Sequence, residues 1–229
     1  MKDEVINYLK QDYLNNLDLI YALEHGAEII HFSKDGIMLK YNDIYMLSIK
    51  DIHLATQLLN DLNDCQMITI HNDRYQELIK EKFGLTQEIV AYQYGYLKND
   101  VTVIDVPKIQ IKNIGIEYYD FIKQNYSTFI DEDYLLKRVQ ANVFIGAFDD
   151  DKIVGFAGIH EEGSIGFVEV IEAYRRKKIA SMLETYMIDR LLKEKKVVYL
   201  QVDIDNLASM KMHEKLGYLR SSEIITWYN

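Results

Sequence analysis

Apolar positions recur along the chain with two different periods. Residues 4–24 carry Val5, Tyr8, Leu9 and Tyr13, then Leu17, Ile20 and Leu23, at the spacing of one helix face. Short β-branched and aromatic runs at 27–32, 37–41 and 44–49 read as strands, with Lys34-Asp35-Gly36 turning between the first two. Helical spacing returns at 52–62 and 74–82 on either side of a strand at 66–71, and a tyrosine-rich strand at 89–96 follows. Further on, helices are expected at 114–125 and 131–141. Strands are expected at 143–148, 153–160 and 165–170, joined by turns at Asp149-Asp150-Asp151 and Glu161-Glu162-Gly163-Ser164. Residues 175–195 place Ile179, Leu183, Met187 and Leu191 on one helix face; a strand at 197–203, a helix at 208–216 and a strand at 223–228 complete the pattern. This alternation predicts an α/β fold with a mixed central sheet flanked by helices.

The polar stretch Lys98-Asn99-Asp100 and the only proline, Pro107, mark a boundary, because proline breaks helices and inner strands. Two domains are therefore expected, 1–98 and 99–229. They echo one another: Glu81-Lys82-Phe83-Gly84-Leu85, then Glu88-Ile89-Val90-Ala91-Tyr92, parallels Glu214-Lys215-Leu216-Gly217-Tyr218, then Glu223-Ile224-Ile225-Thr226-Trp227. Each copy follows a strand and a helix and ends in an aromatic-rich strand, so two related halves are expected.

Composition narrows the function. The chain has 229 residues, 48% apolar and 27% charged, an ordinary globular balance. No apolar run reaches the roughly 18 residues of a membrane helix, and the N-terminus has mixed charges without a signal-like core. Cys65 is the single cysteine and has no internal partner, which fits a cytoplasmic protein. The net charge of −10 argues against general nucleic-acid binding, so an anionic ligand needs a local basic patch. The six histidines show no metal-ligand spacing, and no metal is expected.

One basic patch exists. In Val168-Glu169-Val170-Ile171-Glu172-Ala173-Tyr174-Arg175-Arg176-Lys177-Lys178-Ile179-Ala180-Ser181 a strand ends, a short loop follows and a helix begins on four cations. Cations oppose the positive pole at a helix N-terminus, whereas a bound anion reconciles cations, dipole and free N–H groups. The alternative is a solvated basic face on an amphipathic helix. Separately, His160-Glu161-Glu162-Gly163-Ser164 brings an imidazole and carboxylates to the start of the preceding strand, where a base could take a proton from an ammonium. Glu162, helped by His160, is preferred to Glu169; an ordinary charged hairpin tip is the other reading.

The run 175–181 resembles the pyrophosphate-binding loop of the GNAT superfamily of acyl-CoA N-acyltransferases, Arg/Gln-x-x-Gly-x-Gly/Ala, with Arg175 first and Ala180 last. Lys178 stands at the family's first glycine. A right-handed helical residue there would carry lysine without strain; any other conformation would weaken CoA binding. Asn206-Leu207-Ala208-Ser209-Met210-Lys211-Met212-His213-Glu214-Lys215-Leu216-Gly217-Tyr218 is similar to the family's Asn-x-x-Ala/Ser-x-x-x-Tyr-Glu-Lys-Leu-Gly-Phe. The resemblance implies that Val168, Val170, Arg175, Arg176, Lys177, Lys178, Ile179, Ala180, Ser181, Asn206, Ser209 and Met212 contact CoA. It also implies a backbone N–H near Val170 that polarises the thioester, and it puts His213 where the family has the tyrosine that protonates the thiolate. The loop after residue 49 lacks the cations, so the first half resembles a degenerate GNAT half of a tandem protein. The implied activity is acetyl transfer from acetyl-CoA to a primary amine of a small molecule or peptide, without metal, nucleic acid or membrane; a homodimer is compatible with it. The rival is a non-catalytic CoA-binding or sensing module.

Overall fold

The computed structural model describes residues 2–71, 74–128 and 131–229. The first helical stretch is interrupted: α1 (Lys2–Leu9) gives way to a 3₁₀ segment, Lys10–Asn16, with a non-helical residue at Asp12, before α2 (Leu17–Glu24). The apolar periodicity of 4–24 hides this break. Its cause is polar, because the Asn16 amide donates to the carbonyls of Leu9 (3.1 Å) and Asp12 (2.9 Å) and competes with the helical ladder.

The strands and helices that follow come in the expected order. They are β1 (Glu28–Ser33), β2 (Gly36–Tyr41), β3 (Ile44–Ile49), α3 (Ile52–Asp61), β4 (Met67–Ile70), α4 (Gln76–Phe83) and β5 (Gln87–Gly95). After a stretch without regular structure come β6 (Ile109–Ile114), α5 (Tyr119–Asn125), α6 (Glu132–Gln140), β7 (Phe144–Asp149), β8 (Lys152–Ile159) and β9 (Ile165–Val170). The chain ends with α7 (Ile179–Lys193), β10 (Tyr199–Asp203), α8 (Leu207–Leu216) and β11 (Leu219–Tyr228). Strand β6 has no counterpart among the expected elements, where Pro107 marks only a boundary; it pairs with β7 along its whole length. Helix α7 starts at Ile179 rather than at 175, for reasons given below.

Two compact units result. One comprises Met1–Gly95 with Gln201–Glu214 and Tyr218–Asn229; the other comprises Tyr96–Leu200 with Lys215–Gly217. The first unit has the strand order β1-β2-β3-β4-β11-β5. Strand β11, the last of the second half of the chain, lies between the last two strands of the first half. It is antiparallel to β4 (Trp227↔Thr69) and to β5 (Ile225↔Ala91). The units therefore do not follow the two halves of the chain, although the shared order strand–helix–strand in β4–α4–β5 and β10–α8–β11 is the predicted echo. Apolar side chains such as Met38, Leu47, Ile68, Ile70 and Tyr228 form the core of this unit. In the second unit the order is β10-β9-β8-β7-β6, with Phe144, Phe148, Phe156 and Phe167 packed against α5 and α6 through Ile122, Leu135 and Val139. Both units carry the mixed α/β arrangement that the alternation predicted.

Candidate functional site

Strand β9 is paired normally on one side only. Against β8 it runs antiparallel from Ile159↔Ile165 to Gly155↔Val170, with a register shift between Phe156 and Gly158. Phe167 has φ 53° at that irregularity, the signature of a bulge that re-aims the strand. On the other side, β9 meets parallel β10 at one bridge, Leu200↔Ile165, among the described residues. A strand edge that goes unpaired beyond Ile165 leaves backbone groups near Val168 for a ligand to satisfy.

The chain then turns into α7. Ile171 N–H returns to the Val154 carbonyl (3.0 Å), a 3₁₀ turn covers Glu172–Tyr174, and the Arg175 Nε donates to the Val170 carbonyl (3.0 Å). Arg176 and Lys178 both adopt left-handed conformations, with φ 64° and 66°. Lys178 is thus not right-handed helical but the left-handed residue just before α7, the case in which glycine would sit without strain. These two residues also explain why the helix begins at Ile179. Among the described residues, the N–H groups of 176–181 donate to no protein acceptor, and the helical ladder opens only with Met182 N–H to Lys178 O (2.9 Å). Alternating left-handed residues with convergent N–H groups form an anion-binding nest. No acidic residue occupies the first turn of α7. The side chains of Arg175, Arg176, Lys177 and Lys178 are exposed, with Lys177 Nζ 4.6 Å from the Tyr174 ring centroid. Ile179 is buried, and Ala180 and Ser181 are half-buried. An anionic diphosphate fits this donor set.

The corresponding place in the first half of the chain is closed. Parallel β3 and β4 are zipped by four pairs from Ile44↔Met67 to Leu47↔Ile70. The Asp51 carboxylate caps α3 by accepting the N–H groups of His53 (2.7 Å) and Leu54 (3.1 Å), which hold that carboxyl below its ordinary range. An internal anion already fills the helix end.

Around the β8–β9 turn stands an aromatic cluster. The His160 ring stacks on Phe167 with centroids 4.1 Å apart, and Tyr134 OH lies 3.0 Å from its Nδ1. A Cβ on Gly166 would fall 2.4 Å from this ring, so glycine makes the stack possible. Desolvation, aided by the Arg138 guanidinium, pushes the His160 pKa down to about 3. A ring held in this way is neutral and a weak proton acceptor near neutral pH, which weighs against the helper-base role expected for His160. Glu162 is 6% exposed; its carboxylate accepts from Ser164 Oγ, and its backbone carbonyl accepts from Tyr199 OH. Burial raises the Tyr126 and Tyr134 phenols above their ordinary range; the charges of Glu169 and Glu162 add to the first, and that of Glu162 to the second. Tyr126 stands 5.2 Å from Phe167, centroid to centroid. None of Tyr126, Tyr134, Phe167 and Tyr199 was singled out from the sequence. The only available signal was Gly166 inside a strand, which marks bulges and close approaches.

Residues Asn206 to Glu214 of the second predicted segment belong to the first unit. Asn206 Oδ1 caps α8 by accepting Ser209 N–H (3.0 Å), and Ser209 Oγ lies 3.2 Å from His213 Nδ1. His213 is 5% exposed, beside Tyr94 and edge-on to Tyr218; Met212 is half-buried. Among the described residues no cluster of His, Cys, Asp or Glu could hold a metal, and no helix is long and apolar enough to cross a membrane.

Comparison with known proteins places this arrangement. Residues 109–218 match the model of the Acetyltransferase (GNAT) family. N-alpha-acetyltransferase 30 of Schizosaccharomyces pombe is 25% identical over 150 residues, covering 61% of this chain and 89% of that protein. A GCN5-related N-acetyltransferase from Kribbella flavida shares the fold with a TM-score of 0.62 at 10% identity, over 95% of this chain and 94% of its own. A GCN5-related N-acetyltransferase-like protein from Streptococcus suis gives 0.55 at 16% identity, with 100% of both chains covered. A Drosophila protein solved by structural genomics gives 0.70 at 14% identity, over 99% of this chain and 86% of its own.

Proposed function

Because residues 109–218 match the model of the Acetyltransferase (GNAT) family, we propose that the protein transfers an acetyl group from acetyl-CoA to a primary amine of a small molecule or peptide. The observation that carries this reading is the turn before α7, where the N–H groups of 176–181 have no protein acceptor among the described residues and four exposed cations, Arg175 to Lys178, lie in the same run. That turn would hold the diphosphate, and the open edge of β9 near Val170 would lie along the donor. CoA supplies the activated thioester.

The chain's own residues do the rest. Glu162 takes the proton from the incoming ammonium, giving the free amine needed for attack. The charge of Glu162 acts on the phenols of both Tyr126 and Tyr134, and aromatic rings beside a carboxylate favour a cation there. Backbone N–H groups at the bulged strand offer stabilisation of the developing oxyanion. His213 is assigned the proton for the thiolate on its place in the motif.

Calorimetric titration of CoA into Arg175→Ala and Lys177→Ala tests the reading. Each lost charge-assisted bond is expected to cost about 1.5–3 kcal/mol, roughly ten- to a hundredfold in affinity. Unchanged affinity in both variants would remove the phosphate-loop assignment. CoA binding without acetyl transfer to any amine of a broad panel would leave a sensing module instead.

A further inference from the structure

Glu169 lies on β9 opposite Phe156 of β8, two residues beyond the bulged Phe167. Its Oε1 accepts the backbone N–H of Ser127 (3.1 Å) and also the Ser127 hydroxyl. Ser127 follows Tyr126, which ends α5 through its N–H to the Ile122 carbonyl (2.9 Å). Tyr126 in turn packs on Phe167 at 5.2 Å. A single carboxylate oxygen therefore ties the chain leaving α5 to the strand that carries the open edge, and the aromatic contact completes a short closed circuit of Glu169, Ser127, Tyr126 and Phe167.

We infer that Glu169 is a positioning residue: it clamps the chain after α5 onto β9 and so holds Tyr126 as one wall of the amine pocket. The inference rests on the acetyltransferase reading for the word amine, but the clamp itself is a property of the free protein. The proton-accepting carboxylate is then Glu162, and the two acids of this site have different tasks. The Oε1 of Glu169 is turned toward Ser127 by two bonds from one residue. Two such bonds fix both the height of the loop and the direction of the neighbouring side chain.

Glutamine and alanine separate the two roles. Glu169→Gln keeps a carbonyl oxygen that can accept both Ser127 bonds but cannot take a proton; Glu169→Ala loses both abilities. With saturating acetyl-CoA and the best amine of a panel, Glu169→Gln is expected to remain within about threefold of wild type with an unaltered pH profile. Glu169→Ala is expected to raise the amine KM roughly three- to tenfold, with kcat and CoA affinity little changed. In the ligand-free protein, the Ser127 amide should exchange faster in Glu169→Ala and at the wild-type rate in Glu169→Gln. Equal losses of kcat by both variants, about a hundredfold or more, would make Glu169 the base and overturn the inference. So would Ser127 exchange that ignores the alanine. A wild-type protein that acetylates no amine would defeat the acetyltransferase reading, while the exchange data would still decide the clamp.

Discussion

The imidazole of His160 enters the folded protein without its usual charge. Its pKa falls from 6.5 to about 3 because the ring is desolvated against Phe167 and Tyr134 and repelled by Arg138. Between those two values the unfolded chain binds a proton that the folded chain does not. Stability is therefore complete above about pH 6.5 and is lost as the pH falls toward 3. Thermal melts from about pH 7 down to about pH 5 should show a steeper fall for wild type than for His160→Gln, which keeps a polar partner for Tyr134 but cannot titrate. Parallel curves would deny that the ring is neutral in the fold. His213 poses the complementary question, since its motif position assigns proton delivery while its ring is enclosed by Tyr94 and Tyr218. His213→Phe keeps a ring and removes the proton. Turnover is expected to drop about 10²–10⁴-fold with CoA affinity intact; near-normal turnover on the same amine would assign His213 to packing alone.

Helices α3 and α7 begin in opposite ways although both follow a strand that pairs with a parallel neighbour. The first turn of α3 is satisfied by Asp51, an anion built into the chain. At the start of α7, Arg176 and Lys178 are left-handed and the N–H groups after them lack a protein acceptor among the described residues. Lysine in that conformation is strained by an amount of order 1–2 kcal/mol relative to right-handed backbone. The crowding of four cations opposes folding and is relieved by a bound polyanion, whereas the left-handed backbone at Lys178 persists on binding and subtracts from the affinity that glycine there would give. Strand pairing reinforces the contrast, with four pairs joining β3 to β4 and a single bridge joining β9 to β10. The helix that can receive a phosphate is also the one beside an open strand edge.

For the whole chain, one donor site rather than two is the expectation. A CoA titration followed by calorimetry should saturate at one equivalent per chain, and Lys177→Ala should weaken that single transition. A second transition of similar affinity would show that Asp51 does not block the first half. Much of this was legible beforehand. The order of strands and helices follows from periodicity, because burial on one face imposes period 2 or 3.6 wherever the element lies. The basic loop and the Asn206–Gly217 segment were visible because their chemistry is local to a few consecutive residues. The break at Asp12 was not, since the apolar spacing on either side continues across it while the Asn16 amide bonds to the Leu9 and Asp12 carbonyls. Strand β6 was passed over beside the boundary proline, although Ile109 and Ile111 alternate with polar residues as a strand's do. Sequence alone thus determined the α/β class, the repeated strand–helix–strand order and the place of the basic loop. Tertiary structure decided that β11 inserts between β4 and β5, that Lys178 is left-handed, that His160 is neutral and that Glu169 clamps Ser127. Each of these depends on residues far apart in the chain, or on backbone dihedrals and desolvation that no local pattern encodes.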